Sequence, residues 1–175
     1  MADILPEKWM KGVAVTTTVL AVLTAIASSR SSFYVAQAQL LTALEGSQWS
    51  YYQAKSIKQN LAESQLNAFE VEIIGITNVK QKEVMDQKMK TAASEISRYD
   101  KEKAEIRQNA EKVGKENIIN GRKGGQISLS VVFFQIGIML SSVSALIKRR
   151  ELWYFGLVFG VVACVFLANG FLLFF

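Results

Sequence analysis

The sequence predicts an all-α membrane protein with three transmembrane helices and a long antiparallel coiled-coil hairpin between the first and second. Three observations predict it. Apolar residues are gathered into three blocks instead of being spread along the chain. A seven-residue repeat runs through the second half of the polar insert between the first two blocks. One proline in 175 residues leaves little to break helices.

Residues 1–29 form the N-terminal segment and first span. WMKGVAVTTTVLAVLTAIA (9–27) has one charge, near its start, and about 20 apolar residues suffice to cross a bilayer. Lys8, Lys11 and the Ala25-Ile26-Ala27 triplet also fit a secretory signal with its cleavage site. Trp9 suits a membrane interface and favours an uncleaved anchor. Either reading sends the following residues out of the cytoplasm.

Residues 30–125 form the extramembrane hairpin. Gly75, Thr77 and Asn78 mark its turn, near 75–78. In the second arm, Met85, Met89, Ala92, Ile96, Tyr99, Lys103, Ile106, Ala110 and Val113 alternate steps of four and three, which holds them on one helix face. In the first arm, a stripe of smaller residues has the same spacing: Ala36, Leu40, Ala43, Ser47, Ser50, Ala54, Ile57, Leu61, Ser64 and Ala68. Folding the chain between Ile76 and Thr77 sets Ile96 against Ile57, Tyr99 against Ala54 and Lys103 against Ser50. Large residues then oppose small ones, as close packing requires. A slip of one heptad preserves much of the pattern. A seam holding this many serines and a lysine buries little apolar area, so a hairpin of this length is expected to lean on neighbours.

GSQWSYYQAKSIKQN (46–60) stands out in the first arm. Trp49, Tyr51 and Tyr52 lie beside the expected seam, followed by Lys55 and Lys58 at helical spacing. Such rings are typical anchors of protein contacts. One reading makes these five residues a contact for a second hairpin or a partner protein. The other has the rings cover their own second arm near Tyr99 and Lys103, with cation–π contacts. QWSYYQAKSIKQN, set after an N-terminal span and before a charged helix and two closing spans, resembles the bacterial membrane proteins grouped as domain of unknown function family 4337. The resemblance covers most of the chain. It implies a bacterial multi-pass protein with the aromatic–lysine stretch as signature, and it supplies no catalytic residues.

GRKGG (121–125) precedes the second span. Gly121, Gly124 and Gly125 are expected to loosen the helix there, either as a hinge or as an ordinary break between two helices. Residues 126–147 form the second span, 148–151 a short loop, and 152–175 the third span; neither span carries a charge. Gly156 and Gly160 on the third span, and Gly137 and Ser141 on the second, have the spacing that lets membrane helices approach closely. They serve either packing within the chain or oligomerisation. Gln135 and Asn169 are the strongly polar residues within the spans, and hydrogen bonding between helices explains both most simply.

With no histidine, a single cysteine (Cys164) and no phosphate-binding glycine loop, the chain carries no catalytic, metal or cofactor signature. Its net charge of +5 is spread without a basic block, so nucleic acid is not expected. Lys8, Lys11, Lys148, Arg149 and Arg150 on one side, against Arg30, Arg122 and Lys123 on the other, narrowly favour a cytoplasmic N-terminus. The expectation is a multi-pass protein of the bacterial inner membrane, its hairpin outside the cytoplasm. It acts as a scaffold or accessory subunit, its partners being lipid and either its own copies or a larger membrane complex. An oligomeric channel and a ligand sensor are the alternatives.

Overall fold

The computed structural model describes residues 8–173. Residues 1–7 and 174–175, the outer ends of the first and third predicted segments, lie outside them. Three α-helices carry nearly every described residue: α1 (Lys8–Glu72), α2 (Val79–Ile147) and α3 (Arg150–Leu172). A 3-10 turn (Ile73–Gly75) and a short extended piece join α1 to α2. By length and composition all three helices are apolar enough to cross a membrane.

The ends of these helices follow from local chemistry. Ile76 is extended, and its N–H donates to the Ile73 carbonyl at 3.3 Å. The Asn78 side-chain oxygen then accepts from the Lys80 N–H at 3.0 Å, capping the first turn of α2. Between α2 and α3, Lys148 takes a left-handed conformation (φ 54°). The Arg149 N–H donates to the Ser144 carbonyl, and the Ser144 hydroxyl donates to the Arg149 carbonyl at 2.6 Å. The expected loop at 148–151 therefore shrinks, because Arg150 and Glu151 already belong to α3.

Two expected boundaries do not exist as breaks. α1 runs through residues 29–30 without interruption, and α2 runs through GRKGG. No break falls at the glycines, because the α2 helix continues across them. One of them is needed for packing instead: Gly124 is buried, and a methyl there would lie 3.3 Å from Tyr34 Cβ and from Val35 Cγ2. Its carbonyl accepts from the buried Ser31 hydroxyl at 3.2 Å. Gly121 and Gly125 are exposed with open space around them.

The chain divides into two compact units, Met1–Gln39 with Asn117–Phe175, and Leu40–Glu116. In the first, Leu20 and Ala27 of α1, Ile127 and Phe134 of α2 and Ala163 of α3 form the buried core. Phe133 stacks on Phe159 and Phe166, with centroids 6.1 and 5.2 Å apart. Trp153 Nε1 donates to the Thr16 hydroxyl at 3.0 Å, tying α3 to α1.

In the second unit α1 and α2 lie in contact and run in opposite directions. Phe69 meets Lys88, Lys55 meets Glu102, and Glu45 lies against Gly114. The α2 stripe from Met85 to Val113 is buried or half-buried at every position, as its spacing predicts. The α1 stripe is a correction: every residue from Ala36 to Ala68 in the expected seam is exposed. The face of α1 turned to α2 instead carries Glu45, Tyr52, Lys55, Gln59, Ala62, Leu66 and Phe69. The physical reason lies at Lys103. Opposite Ser50 its half-buried ammonium would meet one short hydroxyl and no ring. In the observed pairing it donates to Gln59 Oε1 at 2.9 Å and sits 5.3 Å from the Tyr52 ring centroid.

Candidate interaction surface

The aromatic–lysine stretch sits in the middle of the α1 segment of the second unit. Tyr52 and Lys55 are three apart and point to α2, while Trp49, Tyr51 and Lys58 flank them with exposed side chains. Trp49 packs edge-on against Tyr52, with centroids 5.8 Å apart and planes at 70°. Lys55 Nζ pairs with Glu102 and lies 5.3 Å from the Tyr51 centroid and 5.5 Å from that of Tyr99. Of the five residues the sequence singles out, Trp49 pairs with Tyr52 and Tyr51 with Lys55, one member of each pair being turned inward, and Lys58 lies exposed beside them.

The inward side is a polar network that extends further than the sequence suggests. Gln59 is buried; its Nε2 donates to Asp100 Oδ1 and to Glu63 Oε1, both at 2.9 Å, while its Oε1 accepts from Lys103. Arg98 reaches Glu102 at 3.6 Å and stands 5.0 Å from the Tyr99 centroid. The hydrogen bond from Lys55 holds the Glu102 carboxyl below its ordinary range against the opposing effect of burial; the charges of Lys55, Arg98 and Lys58 add to it. The same bond raises the Lys55 ammonium. Gln59, Asp100 and Glu102 are the members that sequence reasoning misses. The available signal was Lys103 itself, since a lysine within a seam needs acceptors across from it.

The small residues of the spans form a second cluster, in the other unit. A methyl placed at Gly137 would lie 2.9 Å from the Gly156 carbonyl oxygen, and one at Gly156 2.9 Å from that of Gly137. The two backbones therefore approach each other reciprocally, with no room for a side chain at either position. Ser141 Oγ is buried against the same spot, 2.7 Å from a methyl at Gly156. Gly160 receives the Leu20 side chain of α1, 3.0 Å from where its methyl would be. These four small residues are brought together by packing within one chain. Asn169 is buried in the same unit and Gln135 is exposed.

The class defined by these features is an all-helical chain with three helices suited to a bilayer and a long polar helix pair held by ionic and aromatic contacts. The chain belongs to the family described as Domain of unknown function (DUF4337), whose match spans residues 9–173. Neither a curated protein nor a solved structure matches it.

Proposed function

We propose that the chain is a membrane-anchored scaffold or accessory subunit, which oligomerises or docks onto a larger membrane complex through an antiparallel coiled-coil hairpin. The observation that carries this reading is the state of the ring cluster. Trp49 and Tyr51 are held in place by Tyr52 and Lys55, yet Tyr51 remains 51 % exposed and Trp49 36 %. Rings fixed in place and open to solvent lose little side-chain entropy when a partner covers them.

Three spans support the membrane reading. The first unit leaves Val15, Val19, Ile26, Met139, Phe155 and Val161 exposed on its surface, and apolar area of that extent needs lipid or protein against it. The basic residues Lys148, Arg149 and Arg150, with Lys11 near the N-terminus, support a cytoplasmic placement for that side and an extracytoplasmic one for the hairpin.

The test is extraction from native membrane in mild detergent and measurement of particle mass and composition. The unaltered chain should run as a stoichiometric assembly. The Trp49→Ala, Tyr51→Ala double variant should run as a smaller particle with unchanged helical content. An unchanged mass would remove this surface from the function.

A further inference from the structure

In the second unit α1 carries two stripes with the same seven-residue spacing. One faces α2. The other lies roughly 150° round the helix at 3.5 residues per turn and runs through Leu40, Ser47, Ala54, Leu61 and Ala68, with Ile57 beside them. It is exposed along its whole length, Ile57 to 69 % and Leu61 to 59 %. Between Leu40 and Val71 the charge bordering it is Lys58. The outward face of α2 is built in the opposite way, with Arg98, Lys101, Glu105, Lys112 and Lys115 all exposed. That face suits water. The α1 face combines apolar residues with alanine and serine at heptad spacing, which suits close approach of another helix.

We propose that a second copy of this chain covers this face, α1 against α1, with the two helices running in the same direction about a twofold axis. This rests on the membrane-anchored reading, since copies inserted in the same sense present α1 in the same direction. A twofold contact sets each residue near its own counterpart. It requires a face without unbalanced charge, and Lys58 at the border can turn its ammonium to solvent. The area is adequate. The stripe from Leu40 to Ala68 is about 42 Å long at 1.5 Å per residue. A helix laid along it hides roughly 600 Å2 on each side, at the lower end of the ~600–1,000 Å2 per partner of a stable interface.

The experiment uses the full chain in native membranes, with Cys164→Ala as background. Ser47→Cys and Ala68→Cys, near opposite ends of the stripe, are each treated with a short bismaleimide. Gln108→Cys on the outward face of α2 serves as control. Both stripe variants should give a covalent dimer several-fold more abundant than the control does. Adding Ile57→Glu and Leu61→Glu should abolish that dimer while leaving helical content unchanged, because neither side chain touches α2. The proposal is overturned if neither cysteine bridges, or if bridging occurs only when the Ser47→Cys and Ala68→Cys chains are mixed, which would mean opposed helices. It is also overturned if the cysteines join a foreign chain instead. Failure here together with an intact high-mass native assembly would sink the twofold contact alone and leave the scaffold reading standing.

Discussion

Each unit contains a stretch of α1 and a stretch of α2, and the two units hold their helices together by opposite chemistry. Between Gly137 of α2 and Gly156 of α3 the first unit brings backbone against backbone, with side chains removed from the contact. Around Gln59 the second unit fills the gap with long polar side chains that satisfy one another. The difference teaches how solvent sets the terms of packing. For helices that are to stand in lipid, as proposed for the first unit, burying apolar side chains gains little, and close approach through small residues is what remains. Where water surrounds them, side chains that leave water must bring a hydrogen-bond or charge partner with them.

The sharpest way to break this contrast is to enlarge the backbone contact. Gly156→Leu should lower the stability of the first unit by about 3 kcal/mol, since its Cβ meets a backbone oxygen and Ser141 Oγ inside 3 Å. The check is unfolding in mixed micelles, followed by Trp9 and Trp153 fluorescence in a Trp49→Phe background. Next comes Gln59→Leu. It strips Lys103 and Asp100 of a buried partner and should cost the second unit about 2 kcal/mol, read from Trp49 fluorescence or circular dichroism in denaturant. A third test asks whether glycine itself is what matters. Gly46 has open space around its missing side chain, so Gly46→Ala should stabilise α1 by about 0.5–1 kcal/mol, the reverse of the result at Gly156.

The smallest effect sharpens the contrast through pH. The Glu102 carboxyl titrates lower in the folded chain than in the unfolded one, so its contribution is present above its unfolded value and lost as pH falls through the lowered one. The Lys55 ammonium titrates higher, so its contribution is present below its ordinary value and lost as pH rises past the raised one. The pair therefore supports the second unit across the neutral range. The thermal stability of the second unit should fall on acidification, and Glu102→Gln should flatten that dependence. The glycine contact of the first unit should be indifferent to the same titration.

The sequence made part of this legible and hid part of it. The α2 stripe could be read because large apolar residues stand at six of its nine positions from Met85 to Val113, with every charge but Lys103 outside it. The turn could be read because Asn78 is a side chain that caps helices. The α1 seam could not be chosen, because α1 holds two stripes of equal period. Size matching favours Leu40, Ile57 and Leu61, whereas the hydrogen-bonding needs of Lys103 favour Tyr52 and Gln59. The second requirement prevails because a half-buried ammonium gains more from an amide oxygen and a ring than alkyl groups gain from a better fit. The aromatic–lysine stretch shows the same ambiguity, and Tyr52 and Lys55 turn inward toward Lys103, Glu102 and Tyr99. Glycine in GRKGG misled because a missing side chain permits either looseness or close approach. Only the position of Tyr34 and Val35 beside Gly124 distinguishes the two.

The meeting of Gly137 and Gly156 has a consequence for how this protein can change over time. A contact made of main-chain atoms has no rotamers to rearrange, so it cannot absorb a neighbouring substitution by shifting a methyl group here or there. Drift at these two positions is a step and not a slope: glycine, or separated helices. Adaptation in that layer must come from the rim, at residues such as Leu20 and Phe133 whose flexible or stacked groups still have somewhere to move.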